Sequence, residues 1–237
     1  MENMQRQQQI LNYLLENHFA SIDEIAKRIY VSGATVRRDL QKLEQKGFVK
    51  TVYGGVVLTE YYNEIVPVSL RDKKNAAAKE TIAIEAAKLI HDNETIILDS
   101  SSTARRICRY IKNRKNLTVV TNNLRICEEL KDTNITLYCT GGAHMRRHDC
   151  FMGHYAEEFL KQISADKLFF SSQGLSVDGD IVDCSEEEIA LRKVMLSRAS
   201  KKFFLCDSSK FGKSYPFILC NAEDVTGIIS DMPWNKD

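Results

Sequence analysis

Val31-Ser32-Gly33-Ala34-Thr35-Val36-Arg37-Arg38-Asp39-Leu40 decides how the N-terminal part of this 237-residue chain folds. Ser32 stands where it can cap a helix in which Val36, Leu40 and Leu43 recur at helical spacing and so share one buried stripe. At roughly 100° per residue, Ala34, Arg38, Gln41 and Lys42 fall on the opposite side, with Thr35 and Arg37 on its flanks. Two short helices precede this one. Ile10, Leu11, Leu14 and Leu15 form the first apolar stripe, and Ile22, Ile25, Ala26 and Ile29 form the second behind Ser21, an N-cap with Glu24 as its capping-box partner. Lys46-Gly47-Phe48 closes the third helix, and residues 48–57 alternate like a small hairpin, which reads as a wing. A generic bundle with Arg37-Arg38 on a solvated face would need neither the caps nor the wing. The pattern therefore points to a winged helix-turn-helix whose arginines take guanine edges or clamp phosphates in a major groove.

Residues 5–58 resemble the N-terminal domain of the DeoR family of bacterial transcriptional regulators. That family's run Val-Ser-x-x-Thr-(Ile/Val)-Arg-Arg-Asp-Leu-x-x-Leu-Glu-x-x-Gly is met from Val31 to Gly47, and its Tyr- or His-Gly-Gly by Tyr53-Gly54-Gly55. The resemblance implies operator DNA as partner. Arg38, Thr35 and Arg37 are its expected contacts, with Ser32, Lys42 and Lys50 positioning phosphates and Tyr53 as a further candidate in the wing. Lys50 stands where the family often has arginine, which keeps the charge and loses the bidentate fork.

Charge alone does not argue for nucleic acid. The formal net charge is +1, and residues 1–58 hold eight Lys/Arg against six Asp/Glu. Specific binding would then depend on placed arginines and on paired copies, so a homo-oligomer, dimer or tetramer, is expected. The polar N-terminus lacks an apolar signal region and no apolar run reaches membrane-spanning length, which predicts a cytoplasmic protein with no membrane partner. Seven cysteines without a Cys-x-x-Cys spacing exclude a disulfide framework, and most are expected to pack as small apolar groups. His144, His148, Cys150 and His154 match no familiar zinc spacing; neither a metal nor a cofactor is expected.

The length suits two domains: a winged helix-turn-helix over 1–58, a connecting segment over 59–74 with Tyr61-Tyr62 and the cluster Arg71-Asp72-Lys73-Lys74, and an α/β domain over 75–237. In the last, helices are predicted over 76–90, 104–111, 124–130, 153–162 and 186–199. Strands are predicted over 95–98, 117–120, 135–139, 167–170, 202–206 and 225–229. Such alternation implies a mainly parallel sheet covered by helices. Five strands end in Asp99-Ser100-Ser101-Ser102-Thr103, Thr121-Asn122-Asn123, Thr140-Gly141-Gly142, Ser171-Ser172-Gln173-Gly174 and Asp207-Ser208-Ser209-Lys210. Ordinary loop chemistry explains any one of these. In an open α/β sheet the ends gather along one edge, where ligands bind, and hydroxyls at the start of helix 104–111 with Lys210 or Arg147 suit a phosphorylated, polyhydroxylated ligand.

These loops extend the resemblance over nearly the whole chain. The DeoR-family sensor domain resembles ribose-5-phosphate isomerases and CoA transferases in fold, and binds phosphorylated sugars or related metabolites that release the repressor from its operator. Its Asp-Ser-Gly-(Ser/Thr)-Thr loop corresponds to Asp99–Thr103, its Thr-Asn-Ser to Thr121-Asn122-Asn123, and its Gly-Gly with a following arginine to Gly141-Gly142 and Arg147; its Asp-Ser-Ser-Lys-Phe-Gly is Asp207–Gly212. The implied effector residues are Asp99, Ser100, Ser101, Ser102, Thr103, Thr121, Asn122, Asn123, Gly141, Gly142, Arg147, Gln173 and Lys210. Ser101 replaces the usual glycine, so a positive φ is harder there and the loop is expected to be remodelled. Ser171-Ser172-Gln173-Gly174 stands for Gly-Ala-Asp-Gly, an amide in place of a carboxylate.

The alternative is a sugar-phosphate isomerase-like enzyme that kept this fold, with Asp99, Asp183 or Glu188 as base and Lys210 as electrophile. Gln173 cannot act as base, and a DNA-binding head has no purpose in such an enzyme. Phe211-Gly212-Lys213-Ser214 ends like a P-loop, but the required first glycine is Asp207, which excludes a nucleoside triphosphate site. The sequence is read as a ligand-responsive repressor of carbohydrate catabolism or transport genes, not an enzyme.

Overall fold

The computed structural model describes residues 2–17, 19–58, 71–146 and 148–234, in two units, Met1–Leu70 and Arg71–Asp237. Arg147, Tyr61-Tyr62 and the Leu15 side chain lie outside the described residues. Arg71-Asp72-Lys73-Lys74, expected in the connection, belong to the second unit. Among the described residues no helix is long and apolar enough to cross a membrane.

The first unit runs α1 (Glu2–Asn17), β1 (Phe19–Ala20), α2 (Ile22–Arg28), α3 (Gly33–Gln45), β2 (Val49–Val52) and β3 (Gly55–Leu58). Its caps form as the sequence predicts: the Ser21 hydroxyl accepts from Glu24 N at 3.2 Å, and the Glu24 carboxylate takes the Ser21 N–H at 2.7 Å. Ile10, Leu14, Ile25, Val36, Leu40 and Leu43 are buried together with Val56 and Leu58 of the wing. Two features were not legible in the sequence. Asp39 is fully buried and pairs with Arg6 at 2.5 Å, tying α3 to α1. β1 joins the hairpin in the order β1-β3-β2, and Gly55 permits it, because a Cβ there would sit 2.4 Å from the Ala20 carbonyl oxygen.

The second unit continues with α4 (Ala76–Lys88), β4 (Thr95–Leu98), α5 (Ser102–Ile111), β5 (Thr118–Thr121), α6 (Leu124–Leu130), β6 (Thr136–Cys139), β7 (Ala143–Met145), β8 (Cys150–Met152), α7 (His154–Lys161) and β9 (Ala165–Phe170). Then follow β10 (Gly174–Leu175), β11 (Asp180–Asp183), α8 (Glu186–Arg198), β12 (Ala199–Leu205), β13 (Phe217–Asn221) and β14 (Gly227–Ile229). Six strands form a parallel sheet in the order β14-β12-β9-β4-β5-β6. Successive side chains alternate between its faces. Ile96, Leu98, Val119, Phe169 and Leu205 pack with α4, α5 and α6 on one side; Ile97, Val120, Leu168, Phe170 and Phe204 pack with α7 and α8 on the other. Burial on both faces is why these strands read as continuous apolar runs.

Several expectations need correction, among them β12, which starts at Ala199 rather than 202 and so takes the residue predicted to end α8. Helix α5 begins at Ser102, two residues early, because Ser101 is its N-cap and accepts the Ala104 N–H at 3.0 Å. Ser101 has φ −72°, so the missing glycine costs this loop nothing. The last strand starts at Gly227 rather than 225, after a 3₁₀ turn over Ala222–Asp224 capped by Asn221. The short antiparallel strands, β7 with β8 and the sheet β10-β11-β13, were not predicted; runs this short carry too little periodicity to be told from loops. All seven cysteines are free thiols; Cys108, Cys150 and Cys206 pack inside, whereas Cys139 is exposed.

Candidate functional site

Helix α3 separates its residues as its spacing requires. Val36, Asp39, Leu40 and Leu43 are buried, while Ala34, Arg37, Arg38, Gln41 and Lys42 are exposed. The Ser32 hydroxyl caps the helix through Thr35 N at 3.3 Å and lies 3.0 Å from Thr35 Oγ1, so Ser32 acts first on the helix itself. Lys50 on β2 is half-buried and Tyr53 in the hairpin turn is wholly exposed. Sequence reasoning missed Tyr30, which ends the α2 turn at φ +55° with 94% of its surface in solvent. A bulky residue in that left-handed conformation is an outlier, and an exposed aromatic beside the start of α3 is a further candidate contact.

In the second unit the chain reverses direction across the sheet between β4 and β9: β5 and β6 lie on one side, β12 and β14 on the other. Strand ends that diverge in this way open a crevice. Asp99, just past β4, is fully buried; Oδ1 accepts from Ser101 N at 3.0 Å and Oδ2 from Ser171 N at 3.1 Å, which joins the loops after β4 and β9. Beneath them Arg192 of α8 donates to Asp99 at 3.1 Å and to Asp183 at 2.8 Å, and pairs with Glu188. His148, from the β7–β8 turn and 2% exposed, pairs with Glu188 in turn. Burial pushes the Glu188 carboxyl up, but the Arg192 guanidinium and His148 outweigh it and hold it well below the usual range. The space bounded by Asp99, Ser100, Asn122, Glu188 and Arg192 has no room for a water molecule. The three carboxylates considered as alternative bases for an isomerase all pair with this one guanidinium.

The rim carries the remaining expected residues. Lys210 Nζ donates to Ser171 Oγ at 2.7 Å and the Ser172 carbonyl at 2.6 Å, bridging the loops after β12 and β9. Burial raises the Asp207 carboxyl, and Lys210 with the Ser209 hydroxyl more than offsets it, so Asp207 lies below its ordinary value. Ser102 and Thr103 are buried in the first turn of α5. Thr121 Oγ1 accepts from Asn123 N at 3.0 Å; Asn123 caps α6 through Arg125 N at 2.9 Å, and Asn122 Nδ2 donates to the Phe151 carbonyl at 3.0 Å. Asn122 Oδ1 and Asn123 Nδ2 are buried without a hydrogen-bond partner. Gly141 and Gly142 follow edge strand β6; Gly142, at φ +110°, admits no Cβ because Met152 O would lie 2.6 Å away. Gln173 is half-buried at the entrance to β10, with its N–H on the Val182 carbonyl at 3.2 Å. The structure therefore joins Asp99–Thr103, Ser171-Ser172 and Lys210 directly, sets Thr121–Asn123 on the neighbouring strand, and leaves Gly141-Gly142 at the sheet's edge. It adds Arg71, Lys79, His148 and Arg192, which come from helices and turns with no loop signature.

The chain matches the DeoR-like helix-turn-helix domain over residues 6–61 and the DeoR C terminal sensor domain over residues 74–232. It is 33% identical to the HTH-type transcriptional regulator GolR of Listeria innocua, over 98% of this chain and 92% of that protein. To the transcriptional repressor AccR of Agrobacterium fabrum it is 32% identical, over 95% of this chain and 88% of that protein. Ribose 5-phosphate isomerase A from Methanocaldococcus jannaschii aligns with a TM-score of 0.44 and 19% identity, over 58% of this chain and 55% of that one. With both family domains matched in order along one chain and a relative a third identical over nearly all of it, this chain belongs to the DeoR family of transcriptional regulators.

Proposed function

We propose that the protein is a cytoplasmic repressor of carbohydrate catabolism or transport genes, whose operator binding is modulated by a phosphorylated sugar held at the strand edge of the second unit. One observation carries this reading: hydroxyls, amides and Lys210 converge where the parallel sheet reverses direction, in a chain whose other unit exposes Arg37 and Arg38 from α3. The name of AccR as a repressor supports the sign of control. Arg38, Arg37 and Thr35 read or clamp DNA, with Ser32, Lys42, Lys50 and Tyr53 around them; Asp99–Thr103, Thr121–Asn123, Gly141, Gly142, Gln173 and Lys210 form the effector site, Asp99 by fixing the loops after β4 and β9. A thermal-shift screen of phosphorylated sugars tests it, since a native-state ligand at 100 times its Kd stabilises by about 2.7 kcal/mol. A flat screen across pentose and hexose phosphates would remove the sensor reading.

Ser102→Asp places a carboxylate in the first turn of α5, where helix polarity favours it, yet opposes a phosphate dianion. Expected is a folded, DNA-binding protein with sugar-phosphate affinity reduced at least about tenfold, a loss of roughly 1.4 kcal/mol. Lys210→Ala is expected to weaken phosphorylated sugars far more than their unphosphorylated parents. Calorimetry giving unchanged affinity for Ser102→Asp, or equal affinity with and without the phosphate, would move the pocket elsewhere. The protein is also expected to occupy its operator as a dimer or tetramer on paired half-sites, because one mildly basic head binds too weakly against genomic competition. Light scattering that finds one copy per operator at physiological salt would contradict this.

A further inference from the structure

Lys79, in the first turn of α4, is a buried cation whose immediate partners are neutral. The residue is 5% exposed, and its ammonium donates to the main-chain carbonyl of Arg71 at 2.5 Å and to Ser102 Oγ at 3.2 Å. The Ser102 hydroxyl lies 3.4 Å from the same carbonyl oxygen. The charges of Lys210, Arg71 and Arg106 lower the Lys79 ammonium and that of Asp207 raises it; Arg106 is itself neutralised by Glu80 at 2.6 Å. Burial, followed by the charge of Lys210, brings the Lys79 ammonium down to about 7. Asp207 is itself engaged by Asn75 Nδ2 at 2.8 Å and Ser209 Oγ at 2.5 Å. A buried ammonium whose hydrogen-bond partners among the described residues are a carbonyl and a hydroxyl has no carboxylate in direct contact, and so offers a place for an anion. It also stands at the positive end of the α5 dipole.

The carbonyl that takes these donors belongs to Arg71, the first residue of the second unit. Its neighbour is anchored independently: Asp72 pairs with Arg105 at 3.0 Å and Arg125 at 3.2 Å, and its carbonyl accepts from Arg106 at 2.6 Å. Asp72 is therefore a fixed point, and Arg71 is where the chain toward residues 59–70 can be held or let go.

We propose that Lys79 and Ser102 are a phosphate receptor whose donors the Arg71 carbonyl also takes, so that a phosphate and the start of the connecting segment compete for the same two groups. The proposal rests on the sensor reading above and adds how ligand at that edge reaches the chain leading to the head. A phosphate dianion outbids a neutral carbonyl for a buried ammonium, because it adds charge–charge attraction to the hydrogen bond. Its arrival restores the full charge on Lys79 and releases Arg71 from the fold, with Asp72 as pivot.

The test uses the full chain with inorganic phosphate as probe, chloride at matched ionic strength as control, and trypsin cleavage after Arg71 followed by mass spectrometry. Phosphate at concentrations that raise Tm is expected to accelerate this cleavage about tenfold, the worth of one lost hydrogen bond, although it stabilises the protein as a whole. Lys79→Met is expected to be cleaved fast without phosphate and to respond to it little. Ser102→Ala, a milder change at an exchangeable helix position, is expected to lie between. If phosphate raises Tm while cleavage after Arg71 stays the same or slows, competition is overturned and the sensor reading stands. If neither phosphate nor any sugar phosphate raises Tm, both fall together.

Discussion

Arg192→Met is expected to cost about 3–5 kcal/mol of stability at neutral pH, the penalty for removing one partner of a buried ionic cluster and leaving the others uncompensated. Methionine matches much of the volume, so the loss would be electrostatic rather than a cavity effect. Arg192 is the guanidinium shared by Asp99, Asp183 and Glu188, each nearly or wholly buried. The pH dependence gives the test its direction. In the wild type the Glu188 carboxyl lies well below its ordinary value, so its stabilising contribution is complete above the unfolded carboxylate range and is lost as pH falls through the folded value. Without Arg192, burial dominates and pushes the same carboxyl up; the variant should then recover stability relative to the wild type as pH falls from 7.5 to 5.5, a comparison that cancels groups common to both, such as Lys79. Urea unfolding followed by circular dichroism at the two pH values measures this. A variant as stable as wild type at pH 7.5, or a stability gap from wild type that does not narrow as pH falls in that range, would show that the cluster does not hold the strand ends together.

Arg38→Ala is expected to abolish specific operator binding while leaving the fold and the ligand response intact. Losing one bidentate base contact costs roughly 1–3 kcal/mol per half-site, and two copies on a paired operator double it. Arg38 is exposed on the side of α3 opposite Val36 and Leu40, so its removal should change stability by less than about 0.5 kcal/mol. Gel-shift titration on an operator recovered by in vitro selection with the wild type, paired with a melting curve, separates the two effects. Wild-type affinity in the variant would transfer base reading to another residue, with Arg37 first to be tried.

The head was legible because its signals are local. A cap, a stripe of Val36, Leu40 and Leu43, and the outward arginines follow from helix geometry over a dozen residues, and the structure places them so. The parallel sheet was legible for the same reason: strands buried on both faces write themselves as apolar runs, and the loops after them collect Ser, Thr, Asn and Gly. What pairs with what was not. Asp99 accepts from Ser171 N and Arg192, and Lys210 bridges Ser171 and Ser172, partnerships between separate loops that no motif along the chain announces.

The sequence by itself determined the two domains' types, the solvent-facing side of α3 and the set of polar strand ends, since each depends on periodicity or on short motifs along the chain. Only the tertiary structure decided which charges neutralise one another and which stay poised. Lys79 and Ser102 are 23 positions apart, Arg192 and Asp99 are 93 apart, and His148 meets Glu188 from another turn. No spacing rule links such residues. A buried charge takes whatever partner the packing brings within reach, because leaving it unpaired in a low dielectric costs more than a surface pair ever returns, and that choice is made by the sheet order and helix packing rather than by neighbours in the chain.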